Sequence, residues 1–307
     1  MLRLLLSFLF FSFTQINASP KLDLNQKLQL FKYDQVEIIP NLTQESKSKK
    51  RTILNGNLEV KDSLNPIEIP IKYYQASEEE KRPLVIIIPS IWGQTALEKT
   101  TAEYFSRVGF HSIIVNLKAE FLDISTPITQ IDQFFIDTTV EVQRVIDWAM
   151  KQEEIDTESI SIFGVSLGGI RSSLISMIEP RIKSAALFVA GGNIPEILTN
   201  SNVDIIEDYR IAKMEEEGLE SKQDYLYKLQ RTLTIDPLDF VSLRSPEDFM
   251  MIIALHDKAV PTKNQIELWE KLKRPKAHRW HAPHGGGIIS YPIYLKRIKE
   301  FYIKSWK

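Results

Sequence analysis

The chain of 307 residues contains no cysteine. Disulfide staples, a lipid-anchoring cysteine and a thiol nucleophile are therefore excluded, and an exported form would have to be held by its core alone. Neither sign of charge is in excess: 38 Lys and Arg against 40 Asp and Glu leave a net charge of −2, which supplies no long-range field for nucleic acid. The one dense basic run, Lys47 to Arg51, sits among polar residues and reads as a solvated turn. Long apolar runs are missing beyond the N-terminus, and internal repeats and low-complexity linkers are absent. Histidine is scarce, with five in the chain, so the candidates for an imidazole base are few.

What the N-terminus does hold is a basic residue, Arg3, an apolar run from Leu4 to Phe13, and a polar stretch ending in Ala18. This pattern predicts a secretory signal peptide over residues 1–18 and a secreted or periplasmic mature chain from 19 to 307. The run is shorter than the about 20 residues a membrane helix needs, so no membrane span is expected in the mature chain; an uncleaved N-terminal anchor is the alternative. Asn41-Leu42-Thr43 is a glycosylation sequon, meaningful only where the source glycosylates its secreted proteins.

Alternating and β-branched segments around Gln35 to Ile39, Thr52 to Val60 and Ile67 to Tyr74 predict an antiparallel start, with Asn-Gly and Asn-Pro as turn signals between them. "PLVIIIP" (Pro83 to Pro89) is a continuous apolar run of the kind a strand shows when both its faces are covered. From there strands and helices take turns. A helix near Thr95 to Val108 leads to the strand "HSIIVNL". Ile131, Phe135, Thr138, Val142, Val145 and Trp148 then form one face of a long helix. The strands "SISIF", "SAALFVA" and "DFMMIIAL", a helix "KNQIELWEKL", a strand near Lys276 to His281 and a final helix "YPIYLKRIKEFYIK" complete the pattern. Such alternation predicts an α/β fold with an open, mostly parallel twisted sheet and helices on both faces.

Within this pattern, "SISIFGVSLGGIRSS" places Ser166 between Gly164 and Gly168, at the corner where a strand gives way to a helix. A nucleophile there must stand on a sharp turn that ordinary backbone angles resist, and its neighbours two positions away must be small. The helix starting at Leu167 aims its N-terminal amides at charge developing beside the serine. The bland alternative is a tight turn whose serine caps the helix.

A serine hydroxyl needs a base, and the base needs an orienting acid. Three of the five histidines lie in "HRWHAPHGGG". His284 is preferred as the base because it follows the strand end in a glycine-rich loop; His281 is the fallback. Read as a metal site, His278, His281 and His284 fail on geometry, since residues three apart on an extended segment face opposite ways. His111 reads as packing and His256 as a loop residue or a shaper of the site. Asp257 directly follows an apolar strand, 27 positions before His284, so both would project from the carboxyl edge that carries Ser166; a turn before Pro261 is its other reading. Asp236 and Asp239 are weaker candidates. For an oxyanion hole, the amides of Leu167 and of Ile91, in "PSIWG", are the candidates, and Trp92 either lines the acyl pocket or packs under its loop.

The order Ser, Asp, His, with GVSLGG at the elbow, "HDKAVP" after a late strand and "HGG" near the end, resembles the α/β-hydrolase superfamily, in its dienelactone-hydrolase-like and peptidase-like esterase branches. The resemblance covers Pro83 to the C-terminus. It implies a sheet of about eight strands, a Ser166/Asp257/His284 triad and hydrolysis through an acyl-enzyme, with no cofactor and no metal. Members often carry His-Gly where this chain has Pro89-Ser90, which leaves the second oxyanion donor open. Some carry the acid one strand earlier, where "LFVAGGN" here ends in Asn193. Residues 193–240 sit where the superfamily inserts a helical lid or cap, and their charge speaks against a lipase lid. The expected activity is a serine carboxylesterase acting on small or soluble ester substrates. A peptidase or amidase on the same triad, and a non-catalytic binding protein of the same fold, are the competing readings.

Overall fold

The computed structural model describes residues 22–49, 51–61, 66–76, 80–116, 122–281, 283–284 and 291–307. The signal segment expected over residues 1–18 lies outside the described residues. A short helix α1 (Leu24–Gln29) precedes the strands β1 (Ile38–Ser48), β2 (Arg51–Val60) and β3 (Ile67–Ala76). Next come β4 (Arg82–Ile88), α2 (Ala96–Arg107), β5 (His111–Val115), α3 (Ile131–Ala149), β6 (Ile155–Val165), α4 (Leu167–Ile178) and β7 (Ile182–Phe188). Three consecutive helices, α5 (Ile194–Asn200), α6 (Asp204–Glu216) and α7 (Lys222–Thr232), follow β7. Then come β8 (Phe249–Ala254), α8 (Thr262–Lys271), β9 (Lys276–Trp280) and α9 (Tyr291–Ser305).

Among the described residues the strands form one sheet in the order β1-β2-β3-β5-β4-β6-β7-β8-β9. The three N-terminal strands pair antiparallel, β3 joins β5 antiparallel, and every pair from β5 to β9 is parallel. The resemblance implied about eight strands and the sheet has nine, because all three N-terminal segments pair. The first runs over Ile38–Ser48 rather than Gln35 to Ile39. Its polar half hid it: β1 is an edge strand with mostly exposed side chains, so hydrophobic alternation is not required of it.

The Asn55-Gly56 turn signal is overturned. Both residues lie inside β2, opposite Thr43 and Leu42. A Cβ on Gly56 would lie 2.1 Å from the Asn41 carbonyl oxygen, so glycine is required there by a close approach between strands, not by a turn. Asn65, of the Asn-Pro signal, lies outside the described residues. Ser48 and Arg51 pair at the end of the β1–β2 hairpin, where the basic run was expected to turn.

β4 shows why its sequence is apolar throughout. Leu84, Ile86 and Ile88 enter the core under α3 and α4, whereas Val85 and Ile87 enter the core on the opposite face, with Phe105 of α2 and Ile298 of α9. Sheet position thus converts alternation into a continuous run. Among the described residues no helix is long and apolar enough to cross a membrane.

His111, at the start of β5, is fully buried as packing. Its Nδ1 accepts the Ala76 N–H at 3.1 Å, and its Nε2–H donates to the Glu154 carbonyl at 3.1 Å, which suits a neutral ring. Burial holds its pKa below the ordinary 6.5. The unfolded chain therefore takes up a proton near 6.5 that the folded chain refuses. The corresponding stability is complete above that pH and is lost as pH falls toward the depressed folded value. Denaturant unfolding at a series of pH values should show His111→Gln flattening the acid-side slope by up to about 1.4 kcal/mol per pH unit. Parallel curves for the two proteins would contradict the buried neutral ring.

Candidate active site

Ser166 joins β6 to α4 with φ 58 and ψ −125, a left-handed backbone that a non-glycine residue adopts only where its surroundings impose it. Its N–H donates to the Phe188 carbonyl at 2.9 Å, and its own carbonyl accepts from Ile170 N–H at 2.9 Å. The flanking glycines make the corner possible. A Cβ on Gly164 would lie 2.1 Å from the Gly168 carbonyl oxygen, and one on Gly168 would lie 2.2 Å from the Ile88 carbonyl oxygen. β6, α4 and the end of β4 therefore touch backbone to backbone, which brings the loop carrying Ile91 to the N-terminus of α4.

That loop is pinned by a buried carboxylate that the sequence reading passed over. Glu98, in the first turn of α2, accepts the N–H groups of Thr95 at 2.7 Å and Ser90 at 3.4 Å. The signal was legible: Thr95 and Glu98 stand at the spacing of a capping box, and both reciprocal bonds are present. Ile91 is buried, while Trp92 is 66% exposed and lines the cavity above Ser166. Packing under the loop is thereby ruled out for Trp92.

Asp257 follows β8 and is buried. Its Oδ1 accepts the N–H groups of Ala259 at 2.8 Å and Val260 at 3.1 Å. Its Oδ2 accepts from His284 Nδ1 at 2.7 Å and from the Gln265 side-chain amide at 2.9 Å. All four contacts come from donors, so the imidazole donates through Nδ1–H and keeps Nε2 as an acceptor. Gln265, on α8, also went unnoticed in the sequence. It is fully buried, donates in addition to the Val260 carbonyl at 2.8 Å and accepts the Ala254 N–H at 3.0 Å, so its amide is fully occupied in holding the end of β8 and Asp257 together. No local pattern announces it, because its partners lie on the preceding strand and loop.

The remaining histidines separate. The His278 ring lies 3.1 Å from an Arg297 nitrogen through Nδ1, and His281 is exposed with its ring 6.5 Å from that of His256. Among the described residues no group of three or more His, Asp or Glu is placed to hold a metal ion. Asp236 also turns elsewhere, accepting the N–H groups of Asn193, Ile194 and Leu238. Burial pushes its carboxyl up to about 6. Asn193, left-handed at φ 63, caps α5 and carries no acid function.

Ser166 and His284 line one cavity of about 230 Å³ with Ile91, Trp92, Trp280 and Tyr291. Val189, which borders it, has a positive φ of 44, uncommon for a β-branched residue and a second sign of imposed backbone at this rim. A hydroxyl, an imidazole with an open acceptor nitrogen and a buried carboxylate thus converge from the ends of β6, β8 and β9, beside the N-terminus of a helix. Chemically this set can deprotonate an alcohol and stabilise an anion beside it.

The prolyl oligopeptidase family model matches residues 137–284, from within α3 to His284. No curated protein sequence matches the chain. Among solved structures, an acetyl xylan esterase from a Paenibacillus species superposes with a TM-score of 0.70 at 13% identity, covering 90% of this chain and 92% of that one. Acetyl xylan esterase 1 from a Thermoanaerobacterium species gives 0.67 at 14%, covering 92% of each. The acylaminoacyl peptidase of Pyrococcus horikoshii gives 0.60 at 17%, over 85% of this chain and 43% of that one. At such identities these likenesses show the fold, and the family match spans 148 of the 307 residues, from ahead of the elbow to His284: the chain is similar to α/β-hydrolases in its fold.

Proposed function

We propose that the protein is a serine hydrolase that cleaves carboxylic esters of small or soluble substrates through an acyl-enzyme. The observation that carries the reading is the 2.7 Å bond between His284 Nδ1 and buried Asp257, with His284 and Ser166 facing the same cavity. Ser166 Oγ attacks the ester carbonyl while its proton passes to His284 Nε2, and Asp257 orients the imidazole and offsets its charge. The carbonyl oxygen becomes the oxyanion, received by the amides of Leu167 and Ile91. The C–O bond to the alcohol breaks, and the alcohol leaves with the proton from His284. Water then repeats the attack, its proton going to His284 and returning to Ser166 Oγ as the acid departs.

An ester rather than a peptide substrate is favoured by the solved structures the chain resembles over nine-tenths of its length, two of which are acetyl xylan esterases. Amide cleavage is the second reading, supported by the prolyl oligopeptidase family match. We read α5 to α7, within residues 193–240, as a cap over the site, and residues 1–18 as a signal peptide that exports the protein.

Fluorophosphonate should label the wild type and leave Ser166→Ala unlabelled; no labelling of the folded wild type would favour a binding protein. His284→Ala should abolish turnover with circular dichroism unchanged, whereas full activity would move the base to His281. For Asp257→Asn we expect kcat to fall on the order of 10⁴-fold, the loss seen for the corresponding change in the serine-protease triad. p-Nitrophenyl esters and aminoacyl anilides, compared side by side, decide ester against amide.

Gln265 gives a finer test of positioning. Gln265→Met removes one bond to the oxygen that holds His284 while keeping side-chain volume. It should lower kcat about tenfold with KM within about threefold, in line with the 1.5–3 kcal/mol typical of a bond to a charged acceptor. A rise in KM alone would assign Gln265 to the cavity shape instead.

A further inference from the structure

Two cavities meet at Ser166. The larger, described above, carries the imidazole and the exposed Trp92. The smaller, of about 40 Å³, is lined by apolar residues apart from Ser166 itself. Ile91, Ser166 and Val203 border both and so mark the mouth between them, whereas Phe135, Ile197 and Ile206 line the smaller one alone. An apolar dead end opening at the nucleophile suits the part of an ester that carries no polar group, namely the acyl chain. The wider, partly polar cavity with its exposed tryptophan suits the departing alcohol.

We propose that the smaller cavity is the acyl subsite, that it takes short straight acyl chains, and that Ile197 is the residue setting this limit. The inference rests on the esterase reading and adds to it which side of Ser166 each half of the substrate occupies. The size follows from the volume: an apolar cavity of about 150 Å³ holds a six-carbon ring, so 40 Å³ suits a short chain. A chain of eight carbons has nowhere to go unless a wall moves.

The wall is tied down at both ends. Asp236 accepts the N–H groups of Asn193 and Ile194 at the start of α5. Arg210, 2% exposed, reaches back from α6 to the carbonyls of Leu198 and Ser201 at the end of α5, at 3.2 and 3.1 Å. Tyr209 of α6 donates to the Thr126 carbonyl at 3.0 Å, which fixes α6 to the loop before α3. Ile197 therefore stands on a short helix held at both ends, and Ile206 on a neighbour that is itself anchored. The slot is preformed rather than opened by its ligand, so the selection by chain length is sharp.

The test is a series of p-nitrophenyl esters from acetate to dodecanoate, in which the leaving group is constant and only the acyl chain varies. In the wild type, kcat/KM should fall about tenfold from butanoyl to octanoyl. Ile197→Ala should raise the octanoyl-to-butanoyl ratio about tenfold, and Ile197→Phe should lower the butanoyl-to-acetyl ratio by a similar factor. A wild-type profile that is flat, or that climbs through octanoyl, overturns the proposal, as do variants that scale every ester equally. Titration with a small fluorophosphonate separates the two levels. Labelling of Ser166 without the length dependence sinks the acyl assignment alone, and a folded wild type that does not label sinks the hydrolase reading beneath it. Should one variant fail to fold by circular dichroism, the other and the wild-type profile decide.

Discussion

The backbone contact between α4 and its surroundings governs everything built around Ser166. Strand β6, helix α4 and the end of β4 approach so closely that the sites of two missing Cβ atoms, at Gly164 and Gly168, are occupied by carbonyl oxygens. Only that approach forces Ser166 into a left-handed conformation, at a cost of about 1–3 kcal/mol. The cost is offset by α4 itself, whose residues from Leu167 to Met177 are all buried between sheet and α3. Because the same contact carries the loop after β4 to the helix N-terminus, Ser166 and the amides we propose for the oxyanion arrive together instead of being assembled by separate elements.

His284 and Asp257 are held by a different device. Asp257 lies in a pocket of donors in which every bond is local to the β8–α8 corner except the one to His284, 27 positions away. Gln265 is the hinge pin of that corner, bonded at once to strand, loop and carboxylate. A carboxylate so surrounded is fixed before the imidazole meets it, which is what preorganisation requires: no reorientation is left for the moment of reaction.

Around this centre the chain divides its apolar residues into two cores, one on each face of the sheet, and α5 to α7 pack onto the first. Buried Arg210 of α6 and the Asp236 carboxylate, in the turn after α7, serve the backbone: they satisfy the ends of α5 that would otherwise be orphaned. Anchored helices make a fixed wall, and a fixed wall turns the shape of a small cavity into selectivity. Strain at Ser166 and Val189 and rigidity beside them belong to one arrangement, since a strained backbone persists only where its neighbours cannot relax.

The amino-acid sequence by itself determined the features that depend on near neighbours. The strand-to-helix alternation, the glycines around Ser166 and the Thr95–Glu98 capping box are all set within a few residues, because backbone angles, Cβ clashes and helix caps act over that range. The positions of Asp257 and His284 could be read from strand ends for the same reason. The strand end and the glycine-rich loop favoured His284 and left His281 open, and only the tertiary structure separated them, because His278 meets Arg297, His281 faces solvent and His284 meets Asp257. It also decided that Asn55-Gly56 is a strand interior, since the reason for glycine there is the Asn41 carbonyl of another strand. β1 is mostly polar because an edge needs no buried face, and Gln265 bears no mark at all, because its function exists only where strand end, loop and helix are brought within one bond length of a shared side chain.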